Sequence, residues 1–143
     1  MSDLFNLQRF VMAQDRVYAD VLAELRAGQK RSHWMWFIFP QIEGLGSSST
    51  ARRYAVRDAR EASAYLEHPI LGPRLRECTR LVLDAPAVDV AAFFGYPDHL
   101  KLRSCLTLFD AVAPQEPLFQ AALRRWFGGQ RDPRTLDLLG HRD

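Results

Sequence analysis

The most regular hydrophobic pattern in the chain is carried by Val17, Tyr18, Val21, Leu22 and Leu25. Their spacing predicts an amphipathic helix over residues 16–27, with Asp15 as its N-cap and Gly28 just past its last turn. Ahead of it, Leu7, Phe10 and Val11 predict a shorter helix over residues 4–14. Residues 30–41, KRSHWMWFIFPQ, break the pattern, because here an apolar run with no polar face lies between a basic start and a Pro-Gln stop. We expect a helix capped by Ser32 and running through Phe39. The Gly/Ser turn EGLGSSST follows, and its last serines cap a helix starting near Thr50. The stretch DAREASAYLEH puts Ala62, Tyr65 and Leu66 on one side and ends at His68-Pro69, since a residue before proline is pushed out of the helical region. Pro73 is expected to open the next helix, with Leu75, Cys78, Leu81 and Val82 facing inward. Residues 88–94, 98–113 and 117–127 give three more, and Asp132-Pro133 opens a last one to Leu139. With no alternating strand pattern and no repeat, the pattern predicts an all-α fold of about seven to nine short helices in one domain, residues 1–143.

Length and composition agree with that picture. A chain of 143 residues with 48% hydrophobic and 25% charged residues is ordinary globular usage, able to hide roughly 70% of its unfolded surface around a single core. The N-terminal segment MSDLFNLQRF has an acid at Asp3 and no apolar stretch of signal-peptide type, so a cytoplasmic protein with no membrane partner is expected. Cys78 and Cys105 have no CxxC or CxxH neighbours and read as small buried apolar residues. His33, His68, His99 and His141 are never within five residues of one another, so no metal site and no cofactor are expected. The net charge of +2 is too small to indicate a polyanionic partner, although residues 50–80 carry seven Arg against four acids and any basic face lies mid-chain. Nucleic acid is therefore a minor reading, and the oligomeric state is open.

Candidate chemistry sits in two places. Trp34, Trp36, Phe37 and Phe39 would each remove roughly 150 to 250 Å² from water, so most of the aromatic stretch must be core. An apolar run without a polar face still turns some side chain toward its surroundings, and His33 and Gln41 bracket it with hydrogen-bonding groups. His33 is a candidate general acid or base. The second place is YPDHLKLRSCLTLFDAV, residues 96–112. There Leu102, Cys105, Leu106 and Phe109 form the inward stripe, Lys101 and Ser104 lie on its border and Arg103 points outward. Asp98 can cap this helix, pair with Lys101, or both. Of 19 basic residues only Lys30 and Lys101 are lysine, and a lysine is a compact charge that can bind an anion or do chemistry where the planar fork of Arg cannot.

These features predict a cleft between residues 30–41 and 98–113, lined by His33, Trp34, Trp36, Gln41, Lys101 and Ser104, with Lys30 and Arg31 at its rim. Its expected occupant is a small anionic or aromatic ligand. Two other readings stay open: an enzyme acting on a nucleotide-like substrate, with His33 or Lys101 moving a proton and Asp98 tuning the lysine, and an interaction domain using exposed aromatic rings. GLGSSST lacks the Gly-Lys-Ser/Thr ending of a phosphate-binding loop, and no GxSxG elbow is present.

The segments RFVMAQ, VLAELRAGQKRSHWMWFIFPQIEGLG, SSSTARRYAV, EASAYLEHPILGPRL and DHLKLRSCLTLF resemble the domain-of-unknown-function 1810 family over nearly the whole chain. That resemblance implies an all-α, single-domain, bacterial-type protein with no assigned activity and no established catalytic residues to carry over. Some members bear the label calpastatin, which the compact aromatic-rich pattern here does not fit. Members often have a second serine and a methionine where this chain has Cys105 and Leu106, which weakens any role for a serine pair.

Overall fold

The computed structural model describes residues 3–140, which form ten helices. The first, α1 (Gln8–Asp15), starts later than its hydrophobic pattern suggests, because the carboxylate of Asp3 accepts the N–H groups of Leu7 and Gln8 at 2.7 and 2.8 Å and folds residues 3–7 into a turn. In α2 (Tyr18–Ala27) the expected cap is absent: Val17 takes the N-cap position without a side-chain bond, and Asp15 instead receives Arg74 at 2.8 Å. Gly28 ends the helix as expected, at φ 71°.

The aromatic stretch yields a single turn, α3 (Met35–Ile38), rather than a helix capped by Ser32. The reason lies in α2. Glu24 gathers the backbone N–H groups of Arg31 (2.6 Å) and Ser32 (3.0 Å), the Ser32 hydroxyl and the Trp34 indole N–H (3.0 Å), so residues 31–34 wrap around a carboxylate instead of coiling. Burial works to raise the pKa of Glu24, but these hydrogen bonds together outweigh it and hold the group below the usual carboxylate range.

The next two N-caps are made by side chains, the first of them by an expected serine. Ser48 accepts the Ala51 N–H at the start of α4 (Ser49–Arg53), and Asp58 accepts the Glu61 N–H at the start of α5 (Ala59–Glu67). The next helix, α6 (Leu71–Leu83), begins two residues before Pro73, because His68 Nδ1 accepts the N–H groups of Ile70 and Leu71 and so does the capping that the proline was expected to mark. The remaining helices are α7 (Val90–Phe94), α8 (Asp98–Val112), α9 (Pro117–Phe127) and α10 (Pro133–Leu139). Among the described residues the sole β feature is one parallel bridge, Ile42 to Val56, which closes residues 43–55 into a loop.

At the centre runs α8, packed by α5, α7, α9 and α10. Being surrounded, it buries more than one stripe: Ser104, Thr107 and Asp110 are buried along with Leu102, Cys105, Leu106 and Phe109. Arg103, expected to point outward, is half-buried with its guanidinium 3.7 Å from Asp132. The apolar residues make one core that reaches from Leu7 to Leu123. Both cysteines are free and buried, and burial pushes the Cys78 thiol up to about 12 and the Cys105 thiol well above its ordinary value. Among the described residues no helix is long and apolar enough to cross a membrane.

Candidate functional site

Two chain segments that are far apart in sequence meet at one carboxylate. After Gly28 turns the chain out of α2, the Lys30 N–H binds the Phe93 carbonyl at 2.8 Å, which fixes the segment against α7. This directs the Lys30 side chain inward, where only 7% of it is exposed. Its ammonium reaches Asp98 Oδ2 at 2.9 Å and the Ser32 carbonyl at 2.6 Å, and lies 4.9 Å from the centre of the Trp34 ring. Asp98, in the first turn of α8, uses its other oxygen for Lys101 Nζ at 3.1 Å. Lys101 in turn lies 4.0 Å over the face of Trp36.

The electrostatics follow from the count of charges. One carboxylate faces two ammonium groups, so the cluster carries one excess positive charge in a partly desolvated place. Burial works to raise the pKa of Asp98, and the hydrogen bonds and charges of Lys30 and Lys101 together overcome it and hold the carboxyl below the usual range. Asp98 is thus ionised at neutral pH and acts by its charge rather than as a proton donor. The two lysines differ in access, since Lys30 is enclosed and 22% of the Lys101 side chain is open.

The other expected site residues fall into different surroundings. Trp34 is 1% exposed, bonded to Glu24 and packed edge-on against Phe94, so it lies in the core under Lys30. Trp36 is half-buried, and the loop closes on it at Gly46, where an added Cβ would stand 3.4 Å from the indole and 2.6 Å from the Ala51 Cβ. Arg31 and His33 are exposed, and among the described residues the His33 ring makes no hydrogen bond. Gln41 is buried, with its carbonyl accepting the Val56 N–H. Ser104, one turn beyond Lys101, places its hydroxyl 2.9 Å from Asp132 Oδ2, and Thr135 donates to the same oxygen. The Asp132 N–H donates to Thr107 at 2.9 Å, so this second polar knot ties α10 to α8. Burial works to raise the pKa of Asp132, but the Thr135 and Ser104 hydroxyls and the Arg103 charge outweigh it and hold it down.

The structure therefore brings together Lys30, Asp98, Lys101 and Trp36, with Trp34 beneath. Of the two carboxylates that organise the neighbouring backbone, Glu24 was not legible in the sequence and Asp132 was legible only as the residue that opens α10. Each reads locally as an ordinary polar residue at a helix surface or helix start, and its partners come from other elements. Cavities lie elsewhere on the surface, among them one of about 300 Å³ beside Arg9 and Arg53 and one of about 580 Å³ beside Phe5, Leu7 and His68. Among the described residues no three His, Cys, Asp or Glu side chains converge to hold a metal ion, and His141 lies outside those residues.

Fold and charge cluster together define a small all-α protein with one core and a lysine-flanked carboxylate at the start of its central helix. The chain belongs to the family described as protein of unknown function (DUF1810), whose pattern matches residues 4–139. It is similar to the conserved hypothetical protein Rv1873 from Mycobacterium tuberculosis, known from a crystal structure at 1.38 Å. The TM-score is 0.95 at 51% sequence identity, covering 98% of this chain and 100% of that one. No curated protein matches the chain.

Proposed function

We propose that the protein binds a small anionic ligand, with an aromatic or apolar portion, where Lys101 meets Trp36. The observation that supports this reading is the division of Asp98 between two ammonium groups. Lys30 engages the carboxylate from the enclosed side, so Lys101 keeps donors that Asp98 does not satisfy, in a place where water is partly excluded. An anion there neutralises the excess charge, and Trp36 offers an apolar wall beside it.

The choice of lysine has a physical reason in this geometry. A guanidinium at position 101 would fork across both oxygens of Asp98 and compete with Lys30 for Oδ2, whereas an ammonium takes one oxygen and leaves the other. Both exceptions to the chain's preference for arginine thus meet at the same carboxylate. Gln41 and Ser104 support this site from behind, through the loop and through α10. His33 and Arg31 contribute exposed groups along the approach.

A thermal-shift screen of nucleotides, aromatic carboxylates and other anionic metabolites tests the reading. A ligand at about a hundred times its Kd should raise the midpoint of the wild type by roughly 8 to 10 °C. Lys101→Ala, confirmed as folded by circular dichroism, should abolish most of that shift. Binding of the same ligand with undiminished affinity to Lys101→Ala and to Trp36→Ala would end the proposal, as would the failure of every anion in the screen to stabilise the wild type.

A further inference from the structure

We propose a second anion site, separate from the Lys101 corner, in the groove between α1 and α4, where the structure suits a compact ligand carrying two or more phosphate groups. Two adjoining hollows of about 300 Å³ each lie there, and both are lined by Asn6, Arg9 and Arg53. Arg16, Arg52 and Arg57 complete the basic lining, and Glu43 is the sole carboxylate among the lining residues of either hollow.

The five guanidinium groups do not play the same part. Arg9 builds the wall: it donates to the carbonyls of Arg53 (2.7 Å), Phe5 (2.7 Å), Asn6 (2.8 Å) and Ala55 (2.9 Å) and to Glu61 (2.9 Å). Its charge is cancelled by Glu61, which is wholly buried. Of the other four, Arg57 shares Glu61 at longer range, and Arg16, Arg52 and Arg53 pair with no carboxylate among the described residues. Arg52 donates twice to the neutral carbonyl of Ser47. Arg53 lies over the ring of Tyr54 at 5.4 Å. Arg57 is 64% exposed and stands 3.9 Å from a Glu61 already bound by Arg9. Arg16 makes no ion pair among the described residues. Five guanidinium groups against the carboxylates of Glu61 and Glu43 leave an excess of positive charge that self-repulsion opposes, and a polyanion relieves it.

The chemistry of the ligand follows from the donors. Planar guanidinium forks match phosphate oxygens, and one monoanion would neutralise only part of the excess charge. A compact oligophosphate is favoured over a nucleic acid strand because the hollows are small and the whole chain carries a net charge of only +2, without the extended basic surface that tracking a phosphate backbone requires. Inorganic tripolyphosphate is the probe, with orthophosphate and a ten-residue single-stranded oligonucleotide as comparisons, followed by isothermal titration calorimetry on the full chain. Tripolyphosphate should bind saturably, with an affinity about tenfold or more above that of orthophosphate, and should weaken as salt is added. The double variant Arg16→Ala/Arg53→Ala should lose about tenfold in affinity, while Arg124→Ala on α9 should stay within about twofold. The backbone carbonyl of Arg53 that holds Arg9 survives this change, and Arg16→Gln/Arg53→Gln replaces the alanine pair if circular dichroism shows it unfolded. The inference is overturned by the absence of saturable binding, by an equal loss in Arg124→Ala, or by an oligonucleotide that binds more tightly than tripolyphosphate. Loss of tripolyphosphate binding in Lys101→Ala would also overturn it, by merging the two sites into one.

Discussion

Asp98 is the residue on which the charge cluster turns, and its two partners depend on it unequally. Lys101 can fall back on water and on the face of Trp36, but Lys30 is nearly enclosed and has the Ser32 carbonyl and the face of Trp34 besides. Asp98→Asn should therefore cost about 2 kcal/mol at neutral pH, between the small value of an exposed pair and the larger one of a buried pair that loses a partner. The pH dependence has a definite sign. The folded-state pKa of Asp98 is depressed, so its contribution to stability is present above the unfolded carboxylate value of about 4 and disappears as pH falls through the folded value. Urea denaturation of the wild type from pH 7 to pH 3 should show stability falling below about pH 5, and Asp98→Asn should show a shallower fall across the same interval. At this scale the sequence was informative where the signal was local: Asp98 and Lys101 are three residues apart on one helix, and both lysines stood out against the arginines. That Lys30 shares the same carboxylate could not be read, because 68 residues separate them and packing alone brings them together.

Among the elements, the contact between α5 and α6 is the tightest that a glycine permits. A Cβ at Gly72 would stand 2.1 Å from the Leu66 carbonyl oxygen, a backbone atom that cannot turn aside. Gly72→Ala should shift one helix against the other and destabilise the protein by about 3 kcal/mol, read as a lower urea midpoint. Helix boundaries were legible where a side chain caps its own helix, as Ser48 and Asp58 do, and where proline sets the first turn, as in α9 and α10. They were not legible where a distant group took the capping role or withdrew it. Glu24 cut the aromatic segment to one turn, and Arg74 drew Asp15 away from the start of α2. In both places a charged hydrogen bond from another element outcompetes a local cap of roughly 1 kcal/mol.

Over the whole molecule, aromatic rings join the helices in two groups. One passes from Tyr54 through Phe10, Tyr65 and Phe109 to Phe119 and links α1, α5, α8 and α9, with centroid separations between 5.2 and 5.9 Å. The other joins Trp126, Phe93, Phe94, Phe39 and Trp34 behind the charge cluster. Phe109→Ala should cost about 3 to 5 kcal/mol, since it opens a void at the middle of the first group. If the core is one cooperative unit, tryptophan fluorescence and far-ultraviolet circular dichroism should report the same lowered midpoint, although the tryptophans belong to other surroundings. The all-helical class followed from amino-acid order alone, because hydrophobic spacing and breaker residues act over one or two turns and need no distant partner, and the family followed from the resemblance of whole sequence segments. The meeting of Lys30 with Asp98, the commitment of Ser104 to Asp132, the enclosure of α8 on all sides and the gathering of arginines between α1 and α4 depended on how the helices pack. Each requires groups remote in the chain to come within a few ångströms, and long-range packing and electrostatics, rather than local propensity, fix that arrangement.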